Sequence, residues 1–172
     1  EPFAEHWCGI HRIKVQAKME MRIYRLETIN DVAFTAGKLR LATMDDSRII
    51  TEWAHIFHAE ADPNSPEDAI IPKIEKNEVY IWEDSIPVSM VAKASPTQKG
   101  IRINLVYTPR ELRNKGYATS CVATLCKELL VSGYQFCMLY ADLANPVSNS
   151  IYRKIGFKEV CDSVEYSFAI PA

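Results

Sequence analysis

Residues able to do chemistry gather in one stretch, Val106-Tyr-Thr-Pro-Arg-Glu-Leu-Arg-Asn-Lys-Gly-Tyr-Ala118. It holds a proline, a glycine and the basic side chains Arg110, Arg113 and Lys115. An alternating apolar segment, Ile101 to Tyr107, leads into it, and a segment with helical spacing, Ala118 to Leu130, leads out. A strand that runs through a basic, glycine-containing loop into a helix suits phosphate. The first N–H groups of the helix lack partners, and the helix dipole favours an anion there. Taken alone, Arg110, Arg113 and Lys115 would read as a solvated basic loop; the glycine and the helix start favour an anion site.

A second cluster lies further on, Asn145-Pro-Val-Ser148-Asn149-Ser-Ile-Tyr152-Arg-Lys-Ile-Gly156-Phe157. Asn145 suits an N-cap, Pro146 a first helical residue and Gly156 a terminator, so this is a short helix at the carboxyl end of a strand. His55 and His58 are spaced i, i+3 beside an apolar helical face, without a third metal ligand near them in sequence. They read as surface or cleft histidines.

The elements that position these residues follow from periodicity. Ile13 to Ile23 alternates, so it is a strand. Glu27 to Lys38 is polar and reads as a linker. Residues 1–36 are therefore expected to be an arm, the tail of a preceding domain, either paired with the main sheet or lying loose; residues 37–172 form the main domain. Lys38 to Ala42 reads as a strand and Thr43 to Asp46 as a helix start. Ile49, Ile50, Trp53, Ile56 and Phe57 mark one helical face. The prolines at 63 and 66 break that helix, and a second short helix is expected over 66–76. Val79 to Trp82, Val88 to Ala94 and Ile101 to Tyr107 form a meander with turns between. Ala118, Val122, Leu125 and Leu129 face a core, and Gly133 closes their helix. Phe136 to Leu143 reads as a buried strand, parallel to the one ending at Tyr107 because a helix joins them. Phe157 to Cys161 and Val164 to Ala169 read as a closing pair of strands.

Composition narrows the function. The chain has 172 residues, 48% hydrophobic and 24% charged, with net charge −2. That suits one domain plus an arm and gives no reason to expect nucleic acid or an anionic membrane as partner. No apolar run approaches the ~20 residues of a membrane-spanning helix. Five cysteines without a CxxC pair argue against a disulfide framework and a zinc cage and read as reduced thiols in a cytoplasmic protein.

The two clusters together resemble the GNAT superfamily of acyl-coenzyme A N-acyltransferases. Its phosphate loop, Arg/Gln-x-x-Gly-x-Gly/Ala, is matched by Arg113-Asn-Lys-Gly116-Tyr-Ala118. Its later pattern, Asn-x-x-(Ala/Ser)-x-x-x-Tyr-x-x-x-Gly-Phe, is matched by Asn145 through Phe157. The spacing from Val106 to Arg113 is longer than usual in the family. The resemblance spans residues 38–169. It implies an α/β (α+β) fold: a mixed, mostly antiparallel sheet of about seven strands flanked by about four helices. The sheet would be splayed between the strand ending at Tyr107 and the strand ending at Leu143.

It also implies acetyl-coenzyme A as cosubstrate and a primary amine as acceptor. Cofactor contacts would come from Leu105, Val106, Tyr107, Arg113, Asn114, Lys115, Gly116, Tyr117, Ala118 and Thr119, and from Asn145, Ser148, Asn149 and Tyr152. Direct attack of the amine is expected, with a backbone N–H near Val106 or Tyr107 for the oxyanion and Tyr152 as acid to the leaving thiolate. Tyr152 as a core aromatic is the rival reading. No base stands out: Asn104 occupies the place where a carboxylate is common, and Glu52, Glu60, Glu83 or a water chain remain. A coenzyme A-binding module without turnover is the alternative function. An unrelated nucleotide-binding domain is disfavoured by the lack of Gly-Lys-Ser/Thr and GxGxxG patterns.

Overall fold

The computed structural model describes residues 2–11, 13–61 and 69–169. In chain order its elements are α1 (Pro2–His11), β1 (Lys14–Leu26), β2 (Lys38–Leu41), α2 (Ser47–Ala61), α3 (Ile70–Glu75), β3 (Val79–Asp84), β4 (Ile86–Ala94), β5 (Gly100–Tyr107), α4 (Tyr117–Val131), β6 (Phe136–Asp142), α5 (Pro146–Ile155) and β7 (Lys158–Ala169). The strands form one seven-stranded sheet, ordered β2-β3-β4-β5-β6-β1-β7. Only β5 and β6 run parallel, as the helical crossover of α4 requires.

Two apolar layers hold the sheet. On one face, Val122, Leu125 and Leu129 of α4 and Ile155 of α5 pack on Ile101, Ile103, Leu139 and Leu26. On the other, Ile50 and Trp53 of α2 and Ile70 and Ile74 of α3 pack on Val79, Ile81, Met90 and Tyr107. Each large side chain fully buried this way contributes about 1.5–3 kcal/mol.

The parallel pair is short. Gly100, Ile101 and Arg102 pair with Phe136, Cys137 and Met138, and the strands then part. Gly100 is needed there, because a Cβ would lie 2.2 Å from the Phe136 ring. Beyond the pairing, β5 carries an extra residue against β4: Met90 faces Tyr107, but Ala92 faces Asn104. Leu105, at φ 49°, is the bulged residue. The bulge turns β5 so that Leu105 and Tyr107 pack on the α2 side, while Ile101 and Ile103 pack under α4.

Three features differ from the sequence reading. The expected closing pair of strands is one continuous strand, β7. Asp162-Ser163 contains no Gly, Asn or Pro to turn the chain back. Instead Arg22 of β1 holds Asp162 at 2.7 Å and Glu159 at 2.8 Å across the strands. Between β6 and β7 lies β1, the strand of the arm, which pairs with the main sheet, antiparallel to both. Its Tyr24 and Leu26 are fully buried. The second early helix spans only Ile70–Glu75; residues 66–68 of the expected range lie outside the described residues. Finally, α1 has no counterpart in the sequence reading.

Candidate active site

The gap between β5 and β6 opens into a cleft of about 1080 Å³. The β5 wall runs from Arg102 to Thr108, and the β6 wall from Leu139 to Asp142. The start of α4 and the loop before it close one end; Phe57, His58 and Glu60 of α2 close another.

The loop before α4 has the shape of an anion cradle. Asn114 and Gly116 both take left-handed conformations, at φ 63° and 89°. No side chain caps α4, and its first turn holds no acidic residue. Its leading N–H groups therefore remain available for an anionic ligand. The linker after β1 supports the cradle from behind: the Thr35 N–H and hydroxyl both donate to the buried Ser120 Oγ, at 2.9 and 3.0 Å. Sequence reading missed this pair, since 85 residues separate its members. Gly116, Ala118 and Thr119 line the cleft.

The side chains of this loop are engaged elsewhere. Arg113 donates from Nε to the Thr108 carbonyl at 2.9 Å and from its terminal nitrogen to Glu60 at 2.7 Å. Its guanidinium also lies 5.6 Å from the Tyr107 ring centroid. Arg113 thus holds the loop in shape rather than offering a loose charge. Arg110 binds the same Glu60 at 2.8 Å. The Tyr117 hydroxyl donates to Asp84 at 2.8 Å, and that carboxylate pushes the phenol pKa up. Lys115 is exposed and lies off the cleft wall.

At the other wall, Asn145 Oδ1 accepts from the Ser148 N–H at 3.1 Å and starts α5. Both residues line the cleft. Asn149 does not. Its amide donates to the carbonyls of Asp142 and Asn145 at 2.7 and 2.6 Å, and its Oδ1 accepts from Tyr24 at 2.8 Å. It joins β6, α5 and β1. Tyr152 reaches the cleft although only 7% exposed, packed between the rings of Tyr24 and Phe157. Burial pushes its phenol well above the ordinary value, so the proton stays in place at working pH.

The candidate bases separate clearly. Glu60 lines the cleft, but the Arg113 hydrogen bond, aided by Arg110, holds its carboxyl below the usual range. Glu83 accepts from Arg40 at 2.8 Å and lies off the cleft. Glu52 is exposed on α2, away from the cleft. Of the two histidines at helical spacing, His55 is exposed, and His58 is buried and lines the cleft. The helical face drawn through Ile50 and Trp53 already pointed to that side.

Comparison with known proteins agrees with this geometry. The FR47-like protein family matches residues 83–166, the segment from the end of β3 through β7 that carries both sequence patterns. No curated protein matches the chain. Among solved structures, a GNAT-family protein from Novosphingobium aromaticivorans superposes with TM-score 0.74 at 14% identity, covering 93% of this chain and 68% of its own. A GCN5-related N-acetyltransferase from Kribbella flavida gives TM-score 0.67 at 16% identity, covering 99% and 65%. A predicted acetyltransferase with acetyl-coenzyme A from Clostridium acetobutylicum gives TM-score 0.54 at 20% identity, covering 72% and 90%. This chain thus spans about two thirds of the first two. The chain thus shares the fold of these solved GNAT-family structures, and its residues 83–166 match the FR47-like protein family.

Proposed function

We propose that this protein is an N-acetyltransferase that passes an acetyl group from acetyl-coenzyme A to a primary amine. One observation carries the reading: β5 and β6 part beyond Arg102, and the gap leads to an uncapped helix start behind a left-handed Gly116. A diphosphate fits that cradle, because main-chain N–H groups between Asn114 and Thr119 have no side-chain competitor. A pantetheine arm fits the β5 edge at Leu105 to Tyr107, where pairing to β6 has ended, in the manner of an added strand.

When bound, the thioester supplies an acyl carbon whose bond to sulfur breaks as a bond to the amine nitrogen forms. The protein's part is positional and protic. A main-chain N–H beside the bulge, near Val106 or Tyr107, stabilises negative charge on the acyl oxygen. His58 is the only imidazole among the described cleft residues and accepts the amine proton, a step the Arg-bound Glu60 is poorly suited to. Tyr152 holds its proton toward the leaving sulfur.

Thiol release from acetyl-coenzyme A with a panel of primary amines tests this. Turnover is expected, and Tyr152→Phe should lower kcat by about 10²–10⁴-fold with little change in coenzyme A affinity. Undiminished turnover in that variant removes the acid assignment. A second reading, a coenzyme A-binding module without turnover, is favoured by Asn104 and by the pairing of Glu60 with Arg113 and Arg110. Calorimetric binding of coenzyme A with no thiol release from any amine would establish it.

A further inference from the structure

Two polar side chains on β5 face the cleft with bonding capacity unused. Ile101 and Ile103 pack beneath α4, so strand alternation turns Arg102 and Asn104 to the opposite side of the sheet. Both line the cleft. The Arg102 guanidinium lies over the Tyr140 ring, 4.8 Å from its centroid. Its Nε is buried and has no hydrogen-bond partner among the described residues; the same holds for Asn104 Oδ1. Each such group left unsatisfied costs about 1–3 kcal/mol, and folded proteins rarely carry two side by side without use.

The chemistry of the two atoms differs. Arg102 can only donate, and it asks for an anion; Asn104 Oδ1 can only accept, and it asks for an N–H. Residues two apart on a strand sit ~7 Å from each other. Asn104 adjoins the bulge at Leu105, where the proposed acyl transfer takes place. Arg102 lies deeper, where β5 and β6 still pair. Tyr140 backs the planar guanidinium, a stacking that leaves the N–H donors in the ring plane free to bond. Three carboxylates line the cleft, and Glu60 is already paired with Arg110 and Arg113. Asp142 accepts from the Ala144 N–H at 2.8 Å, and Glu165 lies on β7, three strands away.

We infer that the acceptor is a primary amine that carries a carboxylate, its carboxylate held by Arg102 and its nitrogen steered by Asn104. This names the substrate class of the proposed reaction and rests on that reading for the amine's fate. The carboxylate subsite itself does not depend on turnover.

The test uses matched pairs that differ only in charge: glycine and glycinamide, β-alanine and β-alaninamide, 4-aminobutyrate and its amide. A glycylglycine arm separates a free amino acid from a peptide carboxylate. Thiol release is followed for the wild type, Arg102→Gln and Arg102→Lys, with thermal melts to confirm that each variant folds. The wild type should favour at least one acid over its amide by tenfold or more in kcat/KM. Arg102→Gln should bring that ratio close to one, chiefly through KM, and Arg102→Lys should keep a reduced preference. The same pairs are measured by calorimetry with coenzyme A present. Acids that bind through Arg102 without any turnover would sink the acetyltransferase reading and leave the subsite standing. Equal handling of acids and amides by the wild type, no binding of any acid at millimolar concentration, or a preference that survives Arg102→Gln overturns the inference.

Discussion

Tyr24→Phe removes one oxygen atom and tests how β1 is joined to the cleft wall. The Tyr24 hydroxyl is fully buried and donates to Asn149 Oδ1 at 2.8 Å. Asn149, 4% exposed, spends both amide hydrogens on the Asp142 and Asn145 carbonyls, so it cannot turn to find another donor. The ring remains in the variant, and its packing beside Tyr152 at 6.2 Å is kept. The loss is therefore one unsatisfied buried acceptor, about 2 kcal/mol. For a chain of this size that lowers Tm by about 4–8 °C. Calorimetric melts of wild type, Tyr24→Phe, Asn149→Leu and the double variant close the thermodynamic cycle. A coupling of at least about 1 kcal/mol is expected. A Tm shift under about 1 °C for Tyr24→Phe, or no coupling, would refute the claim that this hydrogen bond joins the amino-terminal strand to α5.

Two further outcomes follow from the geometry. Asp46 accepts from Arg40 at 2.7 and 2.9 Å, and this, with the Thr43 N–H, holds its carboxyl at about 2. A folded-state value below the unfolded one stabilises the fold at all pH above ~4 and is lost as pH falls toward ~2. Melts between pH 5 and pH 2 should therefore show about 2 kcal/mol of acid-labile stability that Asp46→Asn lacks. Gly116→Ala places a Cβ 3.1 Å from Thr35 Cγ2 at φ 89°, a conformation that costs an L residue about 1–2 kcal/mol. Coenzyme A affinity by calorimetry should fall about tenfold, and unchanged affinity would move the diphosphate away from the cradle.

What the sequence reveals is local. Gly116 and Asn145 announce themselves because a left-handed turn and a helix cap are made by neighbours in the chain. The meander of β3, β4 and β5 is legible for the same reason. The position of β1 is not, because its alternation shows a strand without showing its partners. Nor is the commitment of Arg113: the residue that captures it, Glu60, lies 53 positions away. The β7 error has a physical source as well. Asp162 and Ser163 look like a polar turn until Arg22 is seen across from Asp162, and then they are consecutive residues of an unbroken strand. Arg102 and Asn104 pass as routine polar alternation until the gap beside them is known.

The placement of β1 also bears on how the chain comes to be folded. β1 is flanked by β6 and β7, so Lys14 pairs with Ala169, far along the sequence. During synthesis both edges of this segment stay unmatched until β6 and β7 have emerged from the ribosome. Such distant closure slows folding and leaves a sticky ribbon exposed in the interval. Cutting the gene just after residue 26 would take out the plank between two others rather than trim an end.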